Sequence, residues 1–487
     1  MNTFRTMVKR KIIVNYRNKR TSGCPNLFGK SVLSPTSWGI RKNFTNIRCI
    51  NNSKIHHAIL LILLLFLIGT NIAAAQWLLI PMDIGAQTNH LKAYGLTYWA
   101  LEVPREYRCY WWLNYRGGAF VLPDSPDVQM RAALMGVSFE RMDNAAYRSI
   151  KESVLQGSNM DEILLEKAPK IAVYAPSEAS PYRDPWDDAV KIALDYAQIP
   201  YDVIWDKEVQ SGVLETDDYD WLHLHHEDFT GQHGKFHASF STQVWYQQRM
   251  LMFEQAATEA GFRRVPQHKG QTAQMISDYI VNGGFIFAMC SAPETLDIAL
   301  ATRGGAIDIV APELDGTPIE TDAEAHLDFQ RTLAFENFKL YTNPYRYEFS
   351  DIDNPKPDRD AQSGVEDFKL FEFAAKHDPI PTMLTQNHVS VVPGYLGQTT
   401  SFNMDRIRGS VTILGEVEGT NYAKYIHGKL GKGTWTFLGG HDPEDYRHLV
   451  GEGKIPTNLD LHKHSPGYRL ILNNILFPAA RKKPQKT

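Results

Sequence analysis

The sequence predicts an α/β protein in which a parallel sheet carries helices on both faces, with a smaller α/β segment in front. Two observations predict this class. From Lys170 onward, strand-like apolar runs alternate with helical repeats, as in successive βαβ units. The run KIAVYAPS at 170–177 is apolar enough for a buried strand. Ligands of such sheets bind at the carboxyl ends of the strands, so function is expected there.

The bulk composition fits a globular protein with sizeable cores. Its 487 residues are 43% hydrophobic and 22% charged, which suits one large domain or two to three ordinary ones. The net charge of −4 conceals an asymmetry, because residues 1–57 carry twelve Lys or Arg and no acidic residue. The remainder holds 39 of the 51 basic residues against all 55 acidic ones. An acidic body argues against nucleic acid as the partner.

An export segment is predicted at 58–75, where AILLILLLFLIGTNIAAAQ begins. Its apolar part, Ala58 to Gly69, is too short to span a bilayer comfortably, and a small-residue cleavage site follows, ending at Ala75. The protein is therefore expected to be exported to the periplasm or the cell exterior. An uncleaved anchor stays open as the alternative, and any membrane contact is expected only through this segment. The basic stretch 1–57 is read as disordered or as a mis-assigned start.

The segment 76–165 is expected to form a small, aromatic-rich α/β lead-in. QWLLIPMD is strand-like, and the Trp- and Tyr-dense runs after it are more typical of core packing than of a ligand platform. Two later runs have helical spacing with Asp or Ser near their starts, which predicts helices in SPDVQMRAALMGV and DNAAYRSIKESVLQ. The closing stretch SNMDEILLEKAPK is read as a short helix and a linker.

The remainder, 166–480, is expected to form the main α/β domain, with insertions at 229–270 and 303–408 folding over the sheet. Pro185 at a helix start and a Gly pair at a helix end mark boundaries. The elements are predicted in this order: a strand at 170–177, a helix at 184–198, a strand in YDVIWDKEV, a strand at 218–229, a helix at 271–284, a strand in FIFAM, a helix in PETLDIALA, strands in GSVTILGEVEG and GKGTWTFL, and an amphipathic helix in YRLILNNILFPAA.

Cys290 is the candidate nucleophile. Only Cys109 and Cys290 remain after the export segment, which is too few for a disulfide framework, although one bridge between them would remove the nucleophile. Cys290 stands between a strand and a helix, where a side chain is presented on a strained turn. The N–H groups of Ser291 and Ala292 would lie at the helix N-terminus, which favours a thiolate and can bind an oxyanion.

His441 is the candidate base, because a catalytic cysteine needs an imidazole held by a third group. It follows the strand-like WTFL and two glycines, and Asp442 and Glu444 are both near enough in sequence to orient it. The pair is separated by about 150 residues and can meet only in the folded protein. A buried structural cysteine and a loop histidine fit the same residues, so this alternative stays open.

Three motifs carry a resemblance to a known superfamily. YIVNGGFIFAMC, then GKGTWTFLGGHDPE and LILNNILFPA, resemble the class I glutamine amidotransferase-like superfamily. The similarity is nearest to its trehalose-utilisation-like and biotin-ligase N-terminal-like branches. It covers about 168–480 with the two insertions outside. The resemblance implies a flavodoxin-like, doubly wound parallel sheet.

The same resemblance implies a Cys–His–Glu triad that releases ammonia from glutamine or hydrolyses related amides. Carried over by position, Cys290 is the nucleophile, His441 the base and Glu444 the orienting carboxylate. The chain departs from the usual pattern in two places. The cysteine sits in AMCSA rather than among glycines, and His441 and Glu444 are three apart rather than two.

The whole mature chain resembles a family of secreted bacterial proteins often labelled asparagine synthetase B. NHLKAYG, NYRGGAF and FAMCSAPETLDIALA carry this resemblance. A glutamine-dependent synthetase needs an N-terminal cysteine and an S-G-G-x-D-S loop for ATP pyrophosphate, and the chain has no such loop. Synthetase activity is therefore not expected.

A histidine cluster lies at 221–237, WLHLHHEDFTGQHGKFH. Residues two apart on a strand face the same side, so His223 and His225 are weak candidates for metal ligands. Three interpretations stay open, which are a substrate wall, packed or solvated histidines, and a metal site. The residues proposed to contact substrate or the oxyanion are Ser291, His225, His226 and Glu227.

The sequence thus favours a cysteine-dependent amidohydrolase that acts on a small amide or peptide and needs no cofactor. A non-catalytic module that binds a sugar or peptide on the same fold is one alternative. A metal-dependent hydrolase built on the histidine cluster is the other.

Overall fold

A computed structural model describes most of the chain between Gln76 and Lys482. The signal peptide predicted at 58–75 and the stretch 1–57 lie outside the residues that the structure describes. None of the helices described is both long and apolar enough to cross a membrane. The described residues are 76–157, 159–176, 187–216, 218–353, 367–376, 380–446 and 455–482.

The lead-in forms a five-stranded sheet in the order β4-β1-β3-β2-β5, and every pairing in it is antiparallel. Both helices predicted there are confirmed. Its elements are β1 (Trp77–Ile80), α1 (His90–Leu101), β2 (Cys109–Leu113), β3 (Ala119–Pro123), α2 (Pro126–Met135), β4 (Glu140–Met142), α3 (Asn144–Gln156) and β5 (Asp161–Leu165).

The main sheet has ten strands among the described residues, in the order β11-β10-β13-β14-β15-β9-β8-β6-β7, with β12 paired to β14. Its elements are β6 (Ile171–Tyr174), α4 (Ala189–Ala197), β7 (Asp202–Ile204), α5 (Asp206–Gln210), α6 (Val213–Thr216), β8 (Trp221–Leu224), α7 (His237–Phe240), α8 (Val244–Glu259), α9 (Val265–Asn282), β9 (Phe285–Met289), α10 (Ala292–Ala301), α11 (Pro312–Asp315), β10 (Phe368–Leu370), β11 (Val391–Val392), β12 (Phe402–Asn403), β13 (Thr412–Val417), β14 (Tyr422–Leu430), β15 (Gly433–Leu438) and α12 (Pro466–Leu476).

The predicted α/β class is confirmed, but parallel pairing is limited to one half of this sheet, from β15 to the edge strand β7. β7, β6, β8, β9 and β15 pair in parallel, whereas β10, β11, β13 and β14 extend the sheet in antiparallel fashion. The antiparallel extension arises because β13, β14 and β15 are joined by short turns, which connect antiparallel neighbours.

Both faces of the central strands are buried, which explains their continuous apolar runs. In β6, Ile171 and Val173 join one core while Ala172 and Tyr174 join the other. The first core includes α4 and α12, and the second includes α9 and α10. Helices therefore cover the parallel strands on both sides.

The first core also takes in the lead-in. Helix α1 contacts α2, α4 and α12, so it is one of the helices that cover the parallel strands. A Cβ at Gly95 would stand 1.8 Å from the carbonyl oxygen of Ala197, so only glycine permits this approach of α1 to α4. Buried Arg469 of α12 donates to the hydroxyl of Tyr94 at 3.0 Å. Lead-in and main sheet thus share one continuous core.

Two element predictions are wrong, and both errors have local causes. The stretch predicted as a short helix and linker contains β5, because Ile163 and Leu165 alternate into the core while β5 pairs with β2. In YDVIWDKEV only β7 is a strand. The second half is α5, whose first turn is acidic and whose Glu208 side chain accepts from the Trp205 N–H at 3.0 Å.

The helix predicted at 184–198 is α4, which begins at Ala189 and is capped by Asp188. Its predicted start at Pro185 lies outside the described residues. The helix predicted at 271–284 is longer and starts at Val265. The final helix is buried along its whole length from Gly467 to Leu476, so it is a core helix rather than an amphipathic one.

Asp297 of α10 fastens the second insertion to the core. Its carboxylate accepts the N–H groups of Leu333, Ala334 and Phe335, each at 2.8 Å. We expect Asp297→Ala to lower the free energy of unfolding by roughly 3 kcal/mol or more, since each buried N–H without an acceptor costs about 1–3 kcal/mol. Denaturant unfolding measures this change. A loss below about 1 kcal/mol would contradict the clamp.

The same carboxyl makes stability depend on pH. Burial raises the pKa of Asp297 to about 6 from 3.8, although the three N–H groups act in the opposite direction. The folded protein then holds a proton that the unfolded chain has lost, so the carboxyl's contribution falls as pH rises from about 4 to about 6. As the pH rises across that window, the unfolding free energy of wild type should fall relative to that of Asp297→Asn. An unchanged difference would refute it.

Candidate functional site

Cys290 occupies the turn between β9 and α10 with a φ of 55°. A non-glycine residue in this left-handed region is strained by about 1–2 kcal/mol. The Cys290 N–H donates to the carbonyl of Gly440, just after β15, at 2.9 Å. This bond ties the turn to the neighbouring strand, which is how the strained backbone is held.

The thiol is buried but has polar surroundings. Its side chain is 2% exposed, and the backbone N–H of Gln398 donates to Sγ at 3.4 Å. The N-terminus of α10 begins two residues later. An N–H donor and a helix N-terminus both favour the thiolate form of a cysteine. Cys290 is therefore not a cysteine sealed among apolar side chains.

The N–H groups that follow Cys290 are only partly available for an oxyanion. Ala292 donates to the carbonyl of His225 at 3.2 Å, so the structure already uses it. The Ser291 hydroxyl donates to the carbonyl of Glu227 at 3.4 Å. Among the described residues, the backbone N–H of Ser291 has no defined acceptor, so it is the remaining oxyanion donor of this turn.

A loop at 396–400 contacts both the Cys290 thiol and the backbone of His441, and it is not among the site residues predicted from the sequence. The N–H groups of Gly440 and His441 donate to the carbonyls of Thr399 and Leu396, each at 2.8 Å. A Cβ at Gly397 would lie 2.6 Å from the Gly440 carbonyl carbon, so glycine is required there. The glycine in YLGQTT is the one sequence signal for a close approach of this loop, but the local sequence does not indicate which strand end the loop approaches.

Three imidazoles gather beside the turn. The ring centroids of His225 and His226 are 3.9 Å apart, and they lie 4.7 and 4.6 Å from that of His441. His225 and His441 are buried. His225 and His226 follow β8, Cys290 follows β9 and His441 follows β15, and these three strands are adjacent. Histidines that follow the two neighbouring strands thus lie on either side of the Cys290 turn.

Asp188, which the sequence reading did not select, is the carboxylate bound to this cluster. Its Oδ1 lies 3.1 Å from His225 Nδ1 and 3.2 Å from His223 Nε2. Burial opposes its ionisation, yet His223 and His225 hold the pKa of Asp188 well below its usual range. His223 Nδ1 also donates to the Phe287 carbonyl at 3.1 Å. Both His223 nitrogens are engaged, which argues against the predicted His223–His225 metal pair.

Glu227 is placed away from the role predicted for it. Its Oε2 lies 3.3 Å from Lys269 Nζ, which is 2.8 Å from Asp206 Oδ2 and 3.1 Å from the Tyr174 hydroxyl. All four residues are buried. These contacts give Glu227 a structural role in an ion network rather than a contact with substrate.

Glu444, the predicted orienting carboxylate, has its defined contacts elsewhere. Its Oε2 lies 2.9 Å from His462 Nδ1 and accepts from the Tyr446 hydroxyl at 3.3 Å. Asp442 is fully buried, and burial raises its pKa. Its carboxylate accepts from the Thr457 hydroxyl at 2.6 Å. Neither acid has a defined bond to the His441 ring.

The disulfide alternative is excluded. Cys109 and Cys290 are both free and buried. Cys109 lies in β2 within the first core, and burial raises the pKa of its thiol. Cys109 is therefore an inert packing residue and a natural control for the chemistry of Cys290.

Comparisons with known proteins give no family. No family model matches the chain, and no curated protein matches it. Two cytoplasmic proteins from Salmonella typhimurium match 64% of this chain over 100% of theirs, at 9% and 12% identity and a TM-score of 0.31. Gan42B, a GH42 β-galactosidase from G. stearothermophilus, matches 66% of this chain over 32% of its own at 10% identity, with a TM-score of 0.24. Likenesses this low support no argument about function.

The left-handed turn predicts an unusual order of stability. Cys290→Gly removes the strain that Cys290→Ala keeps, so the glycine variant should be more stable by about 1 kcal/mol. Denaturant unfolding measures the difference. At Cys109, inside a strand, the order should reverse, because glycine weakens a strand by about 0.5–1 kcal/mol relative to alanine. The same order at both positions would contradict the turn geometry.

Proposed function

We propose that this protein is a cysteine-dependent hydrolase of a small amide or peptide, with Cys290 as the nucleophile and His441 as its base. The observation that carries the proposal is the strained turn at Cys290, set between imidazoles from the two neighbouring strand ends. The N–H of Gln398 at Sγ supports a thiolate. Strand-to-helix turns with a positive φ present nucleophiles in other α/β hydrolases.

We further infer a flavodoxin-like arrangement for the main domain. The five parallel strands, renumbered in chain order, pair in the order 2-1-3-4-5, which is the flavodoxin-like order. Cys290 follows the fourth of them. This placement and the motifs around Cys290 and His441 support membership of the class I glutamine amidotransferase-like superfamily.

The reaction proceeds through an acyl-enzyme. His441 takes the proton of the Cys290 thiol, the resulting thiolate forms a C–S bond with the carbonyl carbon, and the oxyanion accepts the Ser291 N–H. The C–N bond then breaks as His441 gives the amine its proton. Water attacks the thioester with His441 as base, so a C–O bond forms, the C–S bond breaks and the carboxylic acid leaves. His225, held by Asp188, packs against His441 and positions it.

The proposed substrate is a small amide or peptide outside the cytoplasm, and the acidic body disfavours nucleic acid. Export through 58–75 fits hydrolysis with water as the only co-reactant. It does not fit the ATP-dependent synthetase that the label of the resembling family names.

Alkylation by iodoacetamide between pH 6 and 9 tests the nucleophile. Cys290 should be labelled selectively and reach its plateau rate below about pH 7, while Cys109 stays unlabelled. His441→Gln should slow labelling at pH 7 by at least about tenfold. Peptide mapping by mass spectrometry gives both rates. The proposal fails if Cys290 reacts no faster than a free thiol, or if the histidine variant reacts at the wild-type rate.

Turnover is tested on a panel of primary amides and short peptides, with released ammonia or amine as the signal. We expect Cys290→Ser to reduce the rate by at least about 100-fold and Cys109→Ser to leave it unchanged. Saturable binding without turnover, together with an inert Cys290, would replace the hydrolase by a sugar- or peptide-binding module.

A further inference from the structure

We infer that His225, His226 and His441 form a binding site for one divalent transition-metal ion, with Zn²⁺ as the ion to test. One ring nitrogen from each residue lies within 4.8 Å of the other two. Tetrahedral Zn²⁺ with Zn–N bonds of about 2.0–2.1 Å holds its nitrogens about 3.4 Å apart. Closing that gap requires side-chain movements of about 1 Å and a rotation of the His225 or His226 ring, because the two rings are stacked.

The second nitrogens of the two neighbouring histidines face the kind of group that orients metal ligands, and the two rings are stacked with 12° between their planes. His226 Nε2 donates to the Asp187 carbonyl at 3.0 Å, which leaves its Nδ1 with a lone pair. His225 Nδ1 lies 3.1 Å from Asp188 Oδ1, which leaves Nε2. Ligating histidines almost always place their second nitrogen on a carboxylate or a backbone carbonyl. The orienting groups of a metal site are therefore already present.

His225 Nε2 also needs a partner. It is buried and makes no hydrogen bond with the described residues. An unsatisfied buried polar atom is costly, and a metal ion would satisfy this one. A second group, Asp188 with His223 and His225, is equally compact, but its atoms are engaged. Both His223 nitrogens have partners, and Asp188 caps α4 through the N–H groups of Val190 and Lys191.

The ligand set selects the kind of ion. Three imidazoles without a carboxylate suit zinc, copper, nickel or cobalt and do not suit magnesium or calcium. Three protein ligands leave a fourth position open for water or an added ligand. The site is also distinct from the predicted one, because it adds His441 from β15 and omits His223.

Binding of an ion would change the chemistry of Cys290. A metal-bound imidazole cannot take a proton, so His441 serves either the ion or the thiol. The loaded protein should then be the inactive form, and removal of the ion should restore the reactive thiol. This regulatory step rests on the proposed function, whereas binding of the ion does not.

Zinc binding is measured on untagged, EDTA-treated protein by competition with a chromophoric chelator. One Zn²⁺ per chain is expected for wild type. His225→Ala, His226→Gln and His441→Ala should each weaken binding at least about tenfold, and Asp188→Asn about 10–100-fold. Exposed His326, which pairs with Glu320, supplies the control His326→Ala, expected to bind as wild type. Cooperative unfolding of each variant shows that it is folded. His226 is half-buried, whereas His225 and His441 are buried, so its substitution should disturb the fold least.

The inference is wrong if wild type does not bind one Zn²⁺ per chain, or if all three histidine variants bind Zn²⁺ as tightly as wild type. Cys290→Ala should keep Zn²⁺, and its loss there would assign the ion to the thiol instead. Iodoacetamide labelling of Cys290 should slow at least about tenfold with Zn²⁺ and recover with EDTA. A Cys290 that stays inert after EDTA treatment, in a protein that binds Zn²⁺, refutes the hydrolase but keeps the site. A reactive Cys290 without Zn²⁺ binding refutes the site but keeps the hydrolase.

Discussion

Parallel pairing of β8, β9 and β15 places three chain ends side by side, and the candidate site depends on it. The register pairs Leu224 with Ala288 and Met289 with Leu438. The residues that leave these strands therefore emerge at one edge of the sheet. A slip by one residue would turn every side chain of the strand to the other face, so the buried alternation on both faces fixes the site as well as the core. The stability of the sheet and the geometry of the candidate site therefore depend on the same pairing.

The strained and polar groups at this edge are each held by contacts from another part of the chain. The Cys290 turn is anchored on Gly440, and the loop at 396–400 reaches both the thiol and the strand end of His441. Asp188 caps α4 while it binds two histidines. Because the site draws on β8, β9, β15, α4 and an insertion, it cannot form before these parts of the chain have come together. Holding these groups in place lowers stability locally, and the burial of apolar side chains in the two cores offsets this cost.

Local sequence signals are enough to predict the strand–cysteine–helix unit and the α2 and α3 helices. Signals failed where tertiary contacts decide. The sequence predicts a helix at β5, because the burial of β5 depends on its pairing with β2. It predicts a strand at α5, because an apolar run precedes this helix. Asp188 looked like one more acid at a helix start, and Gln398 lay in a polar insertion. The family resemblance also implies Glu444 as the orienting carboxylate, whereas its defined partners are His462 and Tyr446. Sequence identifies residues with the right chemistry, while only the fold shows which of them meet.

The most direct test of the account is a crystal structure of the metal-free, reduced protein at neutral pH. We expect Cys290 with a φ near the 55° seen here. We also expect Sγ within hydrogen-bond reach of a ring nitrogen of His441, about 3–4 Å for sulfur. A Cys290 with negative φ, or a thiol turned away from the imidazoles into the apolar core, would contradict the account.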